Sequence, residues 1–388
     1  MSKVTNPNLT IAPDVGVAVG NINELETQFN AALVERTVDV RAALLALVAE
    51  EHILLLGPPG TAKSLLAKML AGSMDSQLFE VLLSKFSTPE EINGPLDMGA
   101  LEQSRFERNT AGYLPEADIA FLDEIFKSNA ALLNSMLTAL NERKFDNGGK
   151  RHDIPLKMAI GASNELPEDE SLNALYDRFV IRRWVSYIGD RDALGGLLKR
   201  IAATGNPSIT AKLTDQDLNI LRAARASVDV DDIIEPLMDL RDALGEKHSI
   251  IASDRRWGKI IKFIQANAVL EGRSVATVND FFPLADCLWD KPTDRATIFS
   301  EIAELVSPDL SKAIEIRDAA AEMFVELNLT NITNNDIGRM AEANGELMGM
   351  IHEIQDLEQQ GQVIDLTNEV MSMQQKLATA VSKAVHRL

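Results

Sequence analysis

The most restrictive feature of the chain is a short apolar run that ends at a glycine- and proline-rich turn and resumes as a helix. His52-Ile53-Leu54-Leu55-Leu56 reads as a strand buried on both faces. Gly57-Pro58-Pro59-Gly60-Thr61-Ala62-Lys63-Ser64-Leu65 follows, and helical periodicity resumes from Ser64 to Ala71. A loop between a strand and a helix N-terminus aims backbone N–H groups, and the positive end of the helix dipole, at an anion. The spacing is that of a phosphate-binding loop. Lys63 would reach the β- and γ-phosphates of a nucleotide and the Ser64 hydroxyl would ligate Mg²⁺. The pattern departs at Ala62, where glycine normally precedes the lysine. Alanine tolerates a right-handed backbone, so a right-handed Ala62 is expected.

The strand–loop–helix theme recurs. Leu78 to Leu83 is strand-like, and Thr88-Pro89-Glu90-Glu91 is a capping box with proline at the first helical position. Ile119-Ala120-Phe121-Leu122 is a second buried strand ending in Asp123-Glu124, and Ala130 to Glu142 is an amphipathic helix. Met158 to Ala162 and Ile181 to Tyr187 are strand-like. Alternation of this kind predicts an α/β fold with a parallel sheet and its ligand at the carboxyl ends of the strands. Past residue 190 strand signals stop, and Asp190–Ala203, Thr214–Ser227, Ile233–His248 and Ser253–Glu271 read as helices. The expected organisation is a loose arm over 1–22, an α/β nucleotide-binding core over 23–190, an all-helical lid over 191–300 and a helical extension over 301–388. In that extension Leu366, Val370, Met373, Leu377, Ala380 and Ala384 form a stripe, which suits a coiled coil or an ordinary helix-packing seam equally.

Two further groups bear on the loop's chemistry. Asp123 follows Lys63 by sixty residues, with a helix and a strand between, which brings both turns to one sheet edge. Asp123 would hold Mg²⁺ and Glu124 would polarise the attacking water. Asn164, at the end of Met158-Ala159-Ile160-Gly161-Ala162-Ser163, would orient water and touch the γ-phosphate.

Taken together these segments resemble the MoxR branch of the AAA+ ATPases, and most closely its RavA-type subgroup. The shared text is GPPGTAKS, KFSTPEEINGPLDMGAL, GYLPEADIAFLDEIFKSN with LLNSMLTALNERKF, ASNELPEDE, LYDRFVIRRW and SDRRW, spread between residues 25 and 290. The resemblance implies an AAA+ P-loop core with a helical lid, ATP and Mg²⁺ as cofactors, and hexameric rings with ATP between subunits. It implies that Arg178 is an arginine finger for the neighbouring subunit, with Arg182 and Arg183 as rivals. It also implies that Arg255 is a second sensor, laid by the lid over the same subunit's γ-phosphate, with Arg256 as the alternative. Gly94–Tyr113 matches an insertion and Phe145–Arg151 a pore-facing hairpin. Either would grip a client protein, the plainer reading being exposed connecting loops. Members of this branch often act with a von Willebrand factor A domain protein, here expected as a separate chain.

Composition narrows the alternatives. The formal net charge is −20 and the sequence pI about 4.7. Such a field repels phosphate backbones, which disfavours a DNA-acting protein. Cys287 is the single cysteine, read as a small buried hydrophobe. No stretch is apolar enough to span a bilayer and no secretory leader is visible, so a cytoplasmic location is expected. The N-x-T patterns at Asn328 and Asn331 then carry no weight. His52, His152, His248, His352 and His386 lack metal-ligand spacing. The leading expectation is an ATP-driven, chaperone-like remodeller. The alternative is a scaffold whose slow hydrolysis only switches assembly.

Overall fold

Strand β1 (His52–Leu56) is an inner strand of the main sheet, with every residue buried. The computed structural model describes residues 12–167, 172–203, 208–327, 336–357 and 361–385. Along the chain follow β2 (Leu78–Leu82), β3 (Ile119–Asp123), β4 (Lys144–Asn147), β5 (Lys150–Asp153), β6 (Met158–Ser163) and β7 (Phe179–Trp184). Five of these form one parallel sheet in the order β2-β3-β6-β1-β7. All five run the same way, so the turns after β1, β3 and β6 emerge at a single edge. Uninterrupted apolar sequence explains this placement, because strands covered by helices on both faces need no polar alternation. β4 and β5 make a separate antiparallel hairpin, closed by Gly148 and Gly149 at φ 59° and 76°. No strand follows β7 among the described residues.

The N-terminal segment differs from expectation. Residues 1–11 lie outside the described residues, but Pro13–Ala32 is a helix, not a loose arm. Val15, Ala18, Val19, Ile22, Leu25 and Phe29 are buried along one side at helical spacing. Gly16, Gly20 and Asn21, poor helix formers, obscure that stripe in the sequence. Tertiary burial outweighs their propensity. Also outside the described residues are Glu168 to Glu170 at the end of the ASNELPEDE segment, Asn328, Asn331 and His386.

Packing divides the chain differently from the pattern breaks at 190 and 300. One compact unit comprises Met1–Leu237 with Ser249–Arg295, and the other Met238–His248 with Ala296–Leu388. Within the first, the helices Asp215–Ala226 and Asp254–Leu270 share a core with Pro13–Ala32 and Thr37–Ala49. Leu218, Leu221, Ile260, Phe263 and Ile264 are each at most 1% exposed there. Burial of that many apolar side chains, at about 1.5–3 kcal/mol each, binds these helices to the sheet's own layer. Trp289 and Cys287 are fully buried in the same unit. In the second unit Pro308–Glu326, Asp336–Gln355 and Gly361–Val385 pack on one another. Leu366, Val370 and Leu377 are buried in that packing, an intramolecular seam for this part of the stripe, while Met373 and Ala380 are half-buried and the Ala384 side chain lies outside the described residues. No described helix is long and apolar enough to cross a membrane.

Candidate active site

The turn after β1 is held by what it cannot accommodate. Gly57 has φ +134°, and a Cβ there would lie 2.1 Å from the Val185 carbonyl oxygen. That carbonyl belongs to the residue after β7, whose N–H donates to Leu56 O at 2.7 Å. Any side chain at 57 would push the loop off the neighbouring strand. Ala62 corrects the expectation from sequence, for its backbone is left-handed at φ 70°, ψ 20°. The turn itself requires that conformation, and alanine adopts it at a cost of about 1–2 kcal/mol. Ala62 then starts the helix Lys63–Ser73, with its carbonyl accepting Leu66 N–H at 3.1 Å. No backbone N–H from Gly60 to Leu65 has a hydrogen-bond partner among the described residues. Six adjacent donors left unpaired at a helix start form a cradle suited to phosphate.

Lys63 is mostly buried and donates to the loop's own carbonyls, Gly57 O at 2.6 Å and Pro58 O at 3.0 Å. Its Nζ also lies 3.4 Å from Asn164 Oδ1. Burial holds its ammonium below the ordinary lysine range, and the nearby Asp123 and Glu124 charges oppose that shift. Asn164, at the end of β6, turns its amide nitrogen to Glu124 Oε1 at 2.5 Å. The other carboxylate oxygen of Glu124 is buried, accepts no hydrogen bond and sits 3.3 Å from Lys127 Nζ. Glu124 is itself left-handed at φ 52°, a conformation uncommon for a residue with a side chain. Asp123 accepts the Glu124 N–H at 3.0 Å, and burial raises its carboxyl above the usual range. Lys63, Ser64, Asp123, Glu124 and Asn164 therefore meet at one sheet edge, as the spacing predicts. Ser64 Oγ and Asp123 fit Mg²⁺, both being oxygen donors beside the unpaired amides.

Arg178 and Arg255 lie elsewhere. They line one cavity with Glu50, Glu51, Arg143, Lys259 and Lys262. Glu51 immediately precedes β1 and takes Lys259 Nζ at 2.6 Å and Lys262 Nζ at 2.8 Å. Arg178 immediately precedes β7. The cavity is thus at the amino ends of the strands, one strand length from the phosphate cradle, roughly 15 Å for five residues. The placement of Arg255 over its own subunit's cradle is therefore corrected. The helix that carries it, Asp254–Leu270, is tied to the amino end of β1 by its two lysines. Arg255 is exposed, with Asp177 Oδ2 3.9 Å away. Arg256, the alternative, is buried between Asp177 and Asp290 at 3.0 Å each, a structural role.

The rivals of Arg178 are likewise committed. Arg182 is fully buried, donates to Tyr176 O, Phe179 O, Trp289 O and Asp290, and stacks 3.7 Å over the Tyr176 ring. Arg183 bridges Asp39 at 2.8 Å and Asp286 at 2.7 Å. The Arg178 side chain makes no hydrogen bond or ion pair among the described residues, and its Nε is buried without a partner. A guanidinium left unpaired in a basic cavity is poised for an anion from outside the chain.

The two exposed loops turn out to be one construction. Asn147, the last residue of β4, accepts Arg108 N–H at 2.7 Å and donates to Arg108 O at 3.1 Å. Gly148 N–H reaches Phe106 O at 3.1 Å. The side-chain amide mimics a strand residue and laces the hairpin to Gly94–Tyr113. Phe106 and Met98 project from that composite, 72% and 68% exposed. Sequence reasoning also missed Arg36, which reaches the cradle from the start of Thr37–Ala49. A single arginine with no motif around it gives no signal in the sequence.

Comparison with known proteins bears on the family and the fold. The family described as the MoxR domain in the MoxR-vWA-beta-propeller ternary systems matches residues 20–222, and an AAA lid domain matches residues 232–302. An uncharacterised protein of Methanocaldococcus jannaschii is 35% identical over 312 residues, 80% of this chain and 81% of its own length. A protein named chaperone MoxR1, from Mycobacterium tuberculosis, is 26% identical over 38% of this chain and 40% of its own. A solved structure from Cytophaga hutchinsonii assigned as an ATPase superposes with a TM-score of 0.63 at 18% identity, covering 76% of this chain and 96% of that one. That likeness bears on fold alone: an α/β AAA+ sheet with a helical lid and C-terminal helices. On sequence, sheet order and the residues gathered at its carboxyl edge, the chain belongs to the MoxR family of AAA+ proteins.

Proposed function

We propose that the chain is a cytoplasmic ATPase that hydrolyses ATP at sites shared between copies of itself, as a hexameric ring, to remodel or mature a protein client. The observation that carries this is the separation of the two half-sites. The phosphate cradle, with Lys63, Ser64, Asp123, Glu124 and Asn164, has beside it among the described residues only Arg36, whose guanidinium is taken up by backbone carbonyls and not free for a phosphate. Arg178, whose side chain has no partner among the described residues, and Arg255 sit at the opposite ends of the strands. A neighbouring copy joins the two halves without any rearrangement of the sheet. In that arrangement the six amides from Gly60 to Leu65 hold the phosphates. Mg²⁺, held by Ser64 and Asp123, would neutralise charge on them. Glu124 orients the attacking water, and its Asn164 contact ties that position to the γ-phosphate. Arg178 and Arg255 of the adjoining copy stabilise charge on the transferring group, a contribution typically worth 10³–10⁵ in rate for an arginine finger.

The family description favours a separate von Willebrand factor A domain protein as partner, and the RavA-type affinity is the finer reading of the shared segments. The laced loops, with Phe106 and Met98, are the surface offered to a client. Subunit mixing tests the core of the proposal. Lys63→Ala removes the cradle's cation and Arg178→Ala the finger, so each variant alone is inactive. Mixed in equal amounts they regain a fraction of wild-type turnover, because intact halves meet at some interfaces. No recovery from variants that still co-assemble would refute shared sites. A Glu124→Gln protein with unchanged turnover would favour the nucleotide-gated scaffold.

A further inference from the structure

Arg36 is 9% exposed and spreads its guanidinium over three carbonyls. Its Nε donates to Thr61 O at 3.1 Å, one terminal nitrogen to Glu35 O at 2.7 Å and the other to Ser186 O at 2.6 Å. Asp39, one turn on, lies 4.0 Å away and is itself tied to Arg183. Arg36 borders the small cavity beside the cradle together with Leu33, Asp39, Lys63 and Val185. Thr61 O belongs to the same planar peptide as the Ala62 N–H. In a trans peptide the C=O and N–H point in opposite directions. A guanidinium that pins the Thr61 oxygen on one side therefore fixes the Ala62 N–H on the other, and holds the rotation that leaves Ala62 left-handed.

We propose that Arg36 is a positioning residue for nucleotide binding, which holds the phosphate cradle in its binding shape by fixing the Thr61–Ala62 peptide against the strain at Ala62. The inference rests on the reading of Gly57–Leu65 as the ATP cradle. Its rigidity matters because a left-handed alanine relaxes to another conformation when nothing holds it. The cradle's amides then have to be reordered whenever a nucleotide arrives. Glycine at 62 has no such preference, so Ala62→Gly removes the need for the restraint.

A four-protein cycle tests this: wild type, Arg36→Gln, Ala62→Gly and the double variant. Two measurements are made on each, ADP affinity by fluorescence of a labelled analogue and amide hydrogen exchange over residues 57–66 without nucleotide, read at Gly57 and Leu66, its hydrogen-bonded amides. Arg36→Gln is expected to weaken ADP binding about tenfold, equivalent to about 1.4 kcal/mol, and to speed exchange in that segment. In turnover the KM for ATP rises similarly while kcat stays within about twofold, since a restraint present before and during reaction is uniform binding. In the Ala62→Gly background the same substitution changes affinity by less than about threefold, or roughly 0.6 kcal/mol, and the exchange difference disappears. An equal loss in both backgrounds would mean that Arg36 touches the nucleotide or merely supports the fold, and overturns the proposal. If Arg36→Gln does not fold, Arg36→Lys, which keeps the charge but loses the fork, enters the same cycle. Should the wild type fail to bind ADP, the cradle reading falls, and the exchange measurements still decide the role of Arg36.

Discussion

Alanine placed at Gly57 and at Gly60 should separate two effects that a glycine-rich loop usually mixes. Gly60 has φ +79° and nothing within 4 Å of a Cβ, so Gly60→Ala meets only the left-handed penalty, about 1–2 kcal/mol. Gly57 has φ +134°, a region costing about 1–3 kcal/mol for a residue with a side chain. Its new Cβ would also stand 2.1 Å from Val185 O, and relief requires the loop and the end of β7 to part. Two hydrogen bonds resist that movement, Val185 N–H to Leu56 O at 2.7 Å across the junction and Gly57 N–H to Ser163 O at 3.0 Å, which ties the loop to the end of β6. Each is worth about 0.5–1.5 kcal/mol net. The loss for Gly57→Ala is therefore about 3–5 kcal/mol, some 2–3 kcal/mol beyond Gly60→Ala. Urea unfolding followed by tryptophan fluorescence suits the comparison, because Trp184 ends β7 next to Val185. Equal midpoint shifts for the two variants would show that the close approach of Val185 does not constrain the turn.

Four further outcomes are expected. Arg178→Ala should leave the urea midpoint within about 0.5 kcal/mol of wild type, whereas Arg182→Ala, which strips a buried cation from three carbonyls, should cost about 3–5 kcal/mol; a reversed order would refute the division of roles. Asn147→Ala should raise amide exchange over 94–112 about 5- to 30-fold, from the loss of two backbone-directed hydrogen bonds, and unchanged protection would mean that the loops are independent. His52, fully buried with Nδ1 accepting Ala159 N–H at 3.0 Å and Nε2 2.7 Å from Leu140 O, is held neutral, its pKa lowered chiefly by burial and then by Arg143. The unfolded imidazole takes up a proton as pH falls through its ordinary 6.5 and the folded one does not, so stability should drop below pH 6.5 by at most about 1.4 kcal/mol per unit. That slope should flatten in His52→Gln if the assignment is right; an unchanged slope would place it on other groups. Arg255→Ala should lower turnover without changing subunit stability, and a protein that retains full kcat would remove Arg255 from the shared site.

The parts of the site legible in the sequence were those written into strands. Continuous apolar runs identify β1, β3 and β6, and parallel topology then brings Gly57, Asp123 and Asn164 to one edge with no further information. Ala62 resisted because residue type sets only a preference, and the turn imposed φ against it. The helix Pro13–Ala32 resisted because its glycines weaken the propensity signal while its buried face supplies the stability. Arg255 resisted for a different reason. Chain order shows that a lid follows the core, but the end of the sheet against which it packs is decided by contacts such as Lys259 and Lys262 on Glu51. Nothing in the periodicity of that helix records those contacts. Asn147 by residue type marks a tight turn, whereas its amide pairs with a loop 39 residues earlier, a use invisible to local pattern.

The half-sites at opposite ends of the strands give the molecule a front and a back. Two copies joined on the proposed reading cannot be related by a two-fold axis, because the donor face of one meets the acceptor face of the other. An open row of such copies always leaves one terminal cradle without a neighbour's arginines and one terminal pair of arginines without a cradle. Closing the row adds a complete site without adding a chain. Turnover per subunit then becomes a measure of closure, rising in a step when the two ends meet rather than smoothly with length.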